Sequence, residues 1–222
     1  MIIWRITLIA TSDFHTSSVA KGSTIDYLRN IDQIPYIPGI HIKGVMRTEA
    51  ERILRSTKGI DCWITGDIEI EDASEDKKRP FKTCEELKIG KYGCDVCRVF
   101  GMPHFINDKN YREGKIRVTD FTAKGSVVSA SRMHVSIDRN SLSKTESALF
   151  RTRVVPAGCQ FTGYIITKVL NENEKKLLKG SIYSMVHYGL GGERSRGLGS
   201  FDIESFEPIL YDDFLKEGGN FD

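Results

Sequence analysis

A glycine-rich stretch near the carboxyl end of the chain combines residue types that bind anions. Residues 189–199 hold five glycines in eleven positions. The residues of interest at its centre are Gly191, Gly192, Arg194 and Arg196. Glycine leaves no Cβ to hold a ligand away from the backbone, so such a loop can turn N–H groups toward phosphate oxygens while arginine adds forked donors. We therefore predict that the stretch binds a polyanion, RNA above all; the alternative is a mobile connector with incidental arginines.

Four cysteines lie in one polar, charged insertion: Cys62, Cys84, Cys94 and Cys97. The last two are separated by two residues, which is the usual two-ligand spacing for zinc. Zinc would supply folding energy that this insertion cannot obtain by burying apolar residues, so we predict a structural zinc site that orders residues 61–101. His104 or His15 could replace Cys62, and the alternative is that the thiols pack as small apolar side chains.

The charge is unevenly distributed along the 222 residues. Residues 114–200 carry 14 Lys and Arg against 6 Asp and Glu, whereas residues 201–222 carry 1 against 7. A basic centre beside an acidic end favours a polyanion-binding surface, unless folding scatters the charges. No apolar run is long enough to span a membrane, and no signal-peptide cleavage pattern follows the first strand. We therefore expect an intracellular, cytoplasmic protein.

The periodicity of apolar residues predicts six regular elements. Strands are expected at residues 2–10, 115–123, 159–169 and 200–209, and helices at residues 41–57 and 172–188. Asn171 and Glu174 form the capping pair of the second helix. The order strand, helix, two strands, helix, strand predicts an α+β fold of the ferredoxin-like (RRM-like) class, with a four-stranded antiparallel sheet covered on one side by two helices.

We interpret residues 1–222 as one domain with three long insertions. Residues 11–39 are predicted to form a loop. Residues 61–113 are irregular and contain the cysteines. Residues 124–158 read as an extended hairpin or a flexible basic arm, and its notable side chains are Arg132, Met133, His134, Arg139, Lys144, Arg151 and Arg153.

Three segments and the glycine-rich stretch make the chain resemble the RAMP-type backbone subunits of type III CRISPR–Cas effector complexes (Csm-type, the target-cleaving subunit). Residues 35–47 (PYIPGIHIKGVMR) resemble the motif P-x-I-P-G-S-S-x-K-G-x-x-R, with Ile40 and His41 in place of two hydroxyl residues. Residues 94–101 (CDVCRVFG) are similar to C-x-x-C-x-x-F-G, and residues 135–158 match a third segment. The order and spacing of these segments span nearly the whole chain.

The resemblance implies that the start of the first helix grips guide RNA. Lys43 and Arg47 are one turn apart on that helix, and a helix start with free N–H groups binds anions. Gly39 and Gly44 would allow close approach of the ligand. The resemblance further implies RNA contacts for His15 and Lys21 in the loop after the first strand.

In this family a single aspartate in that loop is associated with metal-dependent cutting of target RNA. The resemblance assigns the position to Asp26, with Asp32 as a rival. A lone carboxylate would help to hold Mg²⁺ beside the scissile phosphate, and the 2′-hydroxyl of the RNA would be the nucleophile.

The basic arm corresponds to the family's thumb-like hairpin, which pushes an apolar tip between nucleotides. Arg132 and Arg139 would contact the strands, and Met133 would act as the wedge. The expected partners are guide RNA, complementary target RNA, other copies of this chain and other subunits of the complex. Two alternatives are a structural, non-catalytic RNA-binding subunit and a stand-alone ribonuclease that processes guide RNA.

Overall fold

The computed structural model describes residues 1–17, 24–62, 82–83, 94–102, 112–137 and 144–218. The helices are α1 (Gly39–Lys58), α2 (Asp95–Phe100), α3 (Glu172–Tyr188) and α4 (Tyr211–Lys216). The strands are β1 (Ile2–Ala10), β2 (Thr24–Ile25), β3 (Tyr36–Ile37), β4 (Ile60–Asp61), β5 (Lys82–Thr83), β6 (Gly101–Met102), β7 (Arg112–Glu113), β8 (Ile116–Val118), β9 (Phe121–Ala123), β10 (Ala130–Ile137), β11 (Lys144–Val154), β12 (Gln160–Thr167) and β13 (Phe201–Ile209).

The main sheet is antiparallel and has β1 near its centre, in the order β13–β1–β12–β9–β3, with β8 also paired to β12. Alternate residues of β1, including Ile6 and Leu8, are buried in the main core. The apolar faces of α1 and α3 cover this side, where Met46 and Ile182 are fully buried. The predicted ferredoxin-like arrangement is confirmed.

Helix α3 begins at the predicted capping box. The Glu174 N–H donates to Asn171 Oδ1 and the Asn171 N–H donates to Glu174 Oε2, each at 2.9 Å. The Glu174 carboxylate is fully buried, and Lys115 Nζ lies 2.7 Å from Oε2. Because a buried charge must be paired, this contact fixes the start of α3 against the residue that precedes β8.

The second predicted strand, residues 115–123, is divided into β8 and β9 by Thr119 and Asp120. The division has a structural cause, since Asp120 Oδ1 accepts the Gly39 N–H at the start of α1 at 2.7 Å. A Cβ on Gly39 would lie 2.4 Å from the Val118 carbonyl oxygen. Gly39 therefore serves close packing of α1 on the sheet, which corrects the expectation that it admits a ligand.

The opposite face of the sheet is partly covered by α4, which was not predicted. Phe214 of α4 is fully buried and packs edge-on against the Tyr164 ring, with centroids 4.9 Å apart. Tyr164 Oη donates to Glu217 Oε2 at 2.6 Å. Burial and this hydrogen bond raise the pKa of Tyr164.

The rest of that face is polar. A row of hydroxyl residues crosses five strands in register: Ser205, Thr7, Thr162, Thr122 and Tyr36. RRM domains bind RNA by stacking bases on aromatic residues of the two central strands. On the two central strands of this face, Thr7 and Thr162 are not aromatic, and the ring of Tyr164 is packed against Phe214 of α4.

The insertion at residues 124–158 contains a long antiparallel hairpin of β10 and β11, which we call the arm. Its base is tied to the loop after β1 by a short parallel pairing of β11 with β2. The described part of the insertion therefore forms the extended hairpin that was one of the two predicted alternatives. Within the ranges given above, no helix is long and apolar enough to cross a membrane.

Candidate nucleic-acid interface and thiol cluster

The glycine-rich stretch, residues 189–199, is a folded loop whose amides point into the protein. The Gly191 N–H donates to His41 Nε2 at 3.0 Å, and the Gly192 N–H donates to the His15 carbonyl at 2.8 Å. The amides of Gly189, Gly197 and Gly199 also have backbone acceptors. The five glycine amides therefore do not form the expected cradle around a phosphate in this conformation, whereas the side chains of Arg194 and Arg196 face outward.

Both of these arginines are exposed. Arg194 Nη1 reaches the Gly189 carbonyl at 3.4 Å, and Arg196 Nη1 lies 3.4 Å from Glu193 Oε1. These contacts are long and solvent-exposed, so they cost little to exchange for a phosphate. RNA contact by both arginines, and by Gly191 and Gly192, stays a prediction.

The backbone of Gly191 packs closely against the loop after β1. Its φ is +83°, and an added Cβ would lie 2.3 Å from the His15 carbonyl oxygen. Gly197 has nearly the same φ, +85°, with nothing within 4 Å of the added Cβ.

We expect Gly191→Ala to lower the free energy of unfolding by roughly 2–5 kcal/mol and Gly197→Ala by about 1–2 kcal/mol. The two variants share the left-handed strain, so their difference measures the clash alone. Urea unfolding of both variants checks this, and equal losses would contradict the packing of Gly191 on His15.

His41 accepts the Gly191 N–H through Nε2, so its ring must be unprotonated at that nitrogen. Burial, with help from the positive charge of Arg194, lowers the pKa of His41 from its usual 6.5. This residue replaces a hydroxyl of the family motif and was not predicted to belong to the site.

The free energy of unfolding should therefore fall when the pH drops below 6.5. The unfolded chain takes up a proton at His41 in that range while the folded chain resists it until its lower pKa is reached. We expect a loss of up to about 1 kcal/mol between about pH 7.5 and 5.5, because His41 is only partly buried. Urea unfolding of wild type and His41→Gln checks this. The variant keeps an acceptor and removes the titration, so its pH dependence should be smaller.

His15 joins the loop after β1 to the arm. The ring is buried, Nδ1 donates to the Arg153 carbonyl at 2.9 Å, and Nε2 lies 3.1 Å from Ser17 Oγ. Its carbonyl also accepts the Gly192 N–H. His15 is thus a buried link between the loop after β1, the arm and the glycine-rich loop. The RNA contact predicted for it stays a prediction. Lys21 lies outside the described residues.

Two ion pairs hold the arm to the same loop. Arg132 Nη2 lies 2.8 Å from Asp13 Oδ2, and Arg153 Nη1 lies 3.1 Å from Asp26 Oδ2. Asp13 was not singled out from the sequence, and it also accepts the Gly199 N–H through its carbonyl. The two pairs place Asp26, Arg132 and the glycine-rich loop around one junction.

Asp26 is a partly exposed carboxylate among cations. Oδ1 accepts the Tyr27 N–H at 2.9 Å and lies 3.7 Å from Arg29 Nη2, while Oδ2 faces Arg153. Mg²⁺ is bound by oxygen ligands and is repelled by nearby positive charge. The residues around Asp26 therefore do not fit Mg²⁺ in this conformation. The rival, Asp32, is exposed in a turn that starts at Asn30, whose Oδ1 accepts the Ile34 N–H.

The arm presents apolar side chains to solvent. Met133 is 60% exposed, Val135 is 51% exposed and Leu149 is 42% exposed. An exposed apolar group beside Arg132 is suited to packing against a base. The wedge role of Met133 stays a prediction, and Arg139 lies outside the described residues.

Lys43 and Arg47, predicted to grip RNA, lie on a partly buried face of α1. Burial, together with the charges of Arg47 and Arg117, lowers the pKa of Lys43. Arg47 donates to Glu51 Oε1 at 2.9 Å, to the Gly101 carbonyl at 3.0 Å and to Cys62 Sγ at 3.8 Å. Its pKa is raised because these partners outweigh the effect of burial. Arg47 thus holds α1 to the thiol cluster described next. At the start of α1 the Gly39 N–H donates to Asp120, and the His41 and Ile42 N–H groups donate to the Pro38 carbonyl. RNA contact by Lys43 and Arg47 stays a prediction.

Cys62, Cys94 and Cys97 form a buried group that we call the thiol cluster. Cys97 Sγ lies 3.5 Å from Cys62 Sγ and 3.6 Å from Cys94 Sγ, and all three sulfurs lie within 4.8 Å of one another. Thiolates around a tetrahedral zinc ion are about 3.8 Å apart, so the three residues fit zinc. In the part of the chain that the structure describes, this is the only group of three or more His, Cys, Asp or Glu side chains close enough to hold a metal ion. Cys84 and His104, the other candidates, lie outside it.

A model described as the RAMP superfamily matches residues 7–202 of the chain. The chain belongs to the RAMP superfamily. The match covers both major helices, the loop after β1, the arm and the whole glycine-rich loop, and it begins within β1 and ends within β13.

Two solved structures share this RAMP fold. One is a chain of a type III-B Cmr-beta complex bound to cognate target RNA, with a TM-score of 0.58 and 16% identity over 94% of this chain. The other is a chain of a type IV-B CRISPR complex, with a TM-score of 0.58 and 15% identity over 94% of this chain. The alignment covers 60% of the Cmr-beta chain and 91% of the type IV-B chain. No curated protein matches the sequence.

Proposed function

We propose that this RAMP protein is a guide-RNA-binding backbone subunit of a CRISPR effector complex, assembled with other copies of itself and with other subunits. The observation that carries the proposal is the junction of the arm, the loop after β1 and the glycine-rich loop. There, Arg132, Arg153, Arg194 and Arg196 lie on elements that His15 and Asp13 tie together. Superfamily membership and the likeness to chains from two CRISPR complexes support it.

The side chains at this junction suit the sugar–phosphate backbone rather than base edges. Guanidinium groups recognise phosphates by charge and fork geometry. Sequence recognition would then come from pairing between guide and target RNA.

Salt dependence of guide-RNA binding tests this proposal. The Arg194→Ala/Arg196→Ala variant should bind guide RNA more weakly. The logarithm of its binding constant should also fall less steeply with the logarithm of the salt concentration, by about two in the magnitude of the slope. The matched control is Lys176→Ala/Lys179→Ala, which removes two exposed charges from α3 and should change the slope little. Fluorescence anisotropy of labelled guide RNA with the reconstituted complex measures both. No measurable binding by the wild-type assembly at low salt would refute the proposal, and equal losses in the two variants would remove the role of the loop.

We further propose that the subunit cleaves complementary target RNA and that Asp26 is the residue this cleavage requires. The 2′-hydroxyl would attack the adjacent phosphorus while the bond to the 5′-oxygen breaks, which leaves a cyclic phosphate and a 5′-hydroxyl. A purely structural subunit is the second candidate, favoured by the ion pairs that occupy Asp26. A guide-processing ribonuclease with a histidine base is less well supported, because both ring nitrogens of His15 are already engaged.

The thiol cluster is proposed as a structural zinc site, with Cys62, Cys94 and Cys97 as three of its ligands. Cys94 precedes α2, Cys97 lies within it, and Cys62 follows β4, so the cluster fastens this insertion to α1 through Arg47. Bound zinc would contribute folding energy and no step of the reaction.

A further inference from the structure

Helix α3 ends with an exposed tyrosine beside the glycine-rich loop. Tyr188 is the last residue of the helix and is 56% exposed. The carbonyl of the next residue, Gly189, lies 3.4 Å from Arg194 Nη1. Tyr188 is therefore a close neighbour of one of the two loop arginines to which we assign phosphate binding.

The ring of Tyr188 has partners on one face and at one edge. The guanidinium carbon of Arg52 lies 5.3 Å from the centre of the ring, and the His187 ring meets it nearly edge-on, with centroids 5.4 Å apart. A guanidinium over the face of a tyrosine ring is an attractive contact. These neighbours hold the ring in place while more than half of the residue stays exposed to solvent.

A buried carboxylate fixes Arg52 in this position. Glu49 of α1 is only 1% exposed, and its Oε1 accepts from Arg52 Nη1 at 2.6 Å. Its Oε2 accepts from Ser184 Oγ of α3 at 2.8 Å. Because a buried charge must be paired, Glu49 limits the positions that the Arg52 side chain can take. The two helices thus cooperate to place a guanidinium against the Tyr188 ring.

A second tyrosine of α3 lacks such surroundings. Tyr183 is 58% exposed, and in the described part of the chain it makes no ring or cation contact. Single exposed apolar side chains are common on protein surfaces and need no functional explanation. Tyr188 differs because its exposed ring is held by neighbours and lies beside a phosphate-binding loop.

We propose that Tyr188 stacks on one unpaired base of the bound guide RNA while Arg194 binds an adjacent phosphate. Aromatic side chains bind single-stranded RNA through the faces of its bases, and every base offers such a face. The contact would hold a nucleotide without reading its identity, as backbone recognition at the junction requires. This inference rests on the proposed function, because it adds a base contact to the same RNA site.

Fluorescence anisotropy of labelled guide RNA with the reconstituted complex tests this contact. Tyr188→Ala should bind the guide about tenfold more weakly than wild type, as expected for the loss of one stacked base, whereas Tyr188→Phe should bind as wild type. The salt dependence should be the same in all three proteins, because no charge is removed. The matched control is Tyr183→Ala, which removes an equally exposed ring from the same helix and should leave binding unchanged.

An abasic chain of the same length separates stacking from a change in the fold. Wild type and Tyr188→Ala should bind it equally, since its phosphates remain and its bases are gone. The contact is refuted if Tyr188→Ala binds the guide as wild type does, if Tyr183→Ala or Tyr188→Phe loses as much, or if the loss persists with the abasic chain. Failure of the wild-type complex to bind guide RNA would instead refute the proposed function, and this contact with it.

Discussion

Replacing Asp26 with alanine or asparagine should abolish target-RNA cleavage by the assembled complex and leave guide binding and assembly intact. Asparagine retains an oxygen for the Tyr27 N–H but removes the negative charge at the junction. We expect the cleavage rate to fall by about 100-fold or more, as when a single preorganised charge or dipole is removed from an active site. Single-turnover cleavage of a labelled target checks this, with electrophoretic analysis of the complex as the test of assembly.

Asp32→Asn is the matched control for this experiment. Asp32 lies in an exposed turn six residues further along, and its substitution should leave the cleavage rate unchanged. Loss of activity in Asp32→Asn with full activity in Asp26→Asn would transfer the role to Asp32. Full activity in both would favour the purely structural subunit.

Loss of zinc should have the largest effect on stability. We expect purified protein to carry about one equivalent of zinc and Cys97→Ser to lose it, with a decrease of several kcal/mol in the free energy of unfolding. The reason is that the thiol cluster lies between α1 and α2, and Cys97 is fully buried. Metal analysis by mass spectrometry and urea unfolding measure the two effects.

Cys159→Ser is the control, because Cys159 precedes β12 and does not belong to the thiol cluster. It should retain the metal. Burial raises the pKa of the Cys159 thiol, so this residue stays protonated and is not expected to compete as a ligand. Less than about a tenth of an equivalent of zinc in the wild-type protein would leave the cluster as packed thiols and would contradict the proposal.

The regular elements of the fold could be predicted because their signals are local. Alternation in β1, the capping pair of α3 and the apolar stripe of α1 depend on residues within a few positions of one another. The break between β8 and β9 could not be predicted, since Asp120 leaves the strand to bind Gly39, 81 residues away in the sequence. Helix α4 has only six residues, and it is fixed by a tertiary contact of Phe214 rather than by its own periodicity.

The candidate site was predicted in outline and not in its connections. The thiol spacing and the glycine-rich stretch indicated two candidate regions, and the family resemblance pointed to Asp26. Composition could not show that the loop amides turn inward, because their acceptors, the His41 ring and the His15 carbonyl, are about 150 or more residues away in the sequence. The same holds for Arg153, which was one of several arm cations until the pairing of β11 with β2 placed it against Asp26.

His15 gives the junction a mechanical property. One side of the residue bonds to the arm through the Arg153 carbonyl, and its own carbonyl bonds to the amide of Gly192. Under the proposed function, a force that bound RNA exerts on the arm would be transmitted to the glycine-rich loop through this one residue. The arm and the loop would then move together.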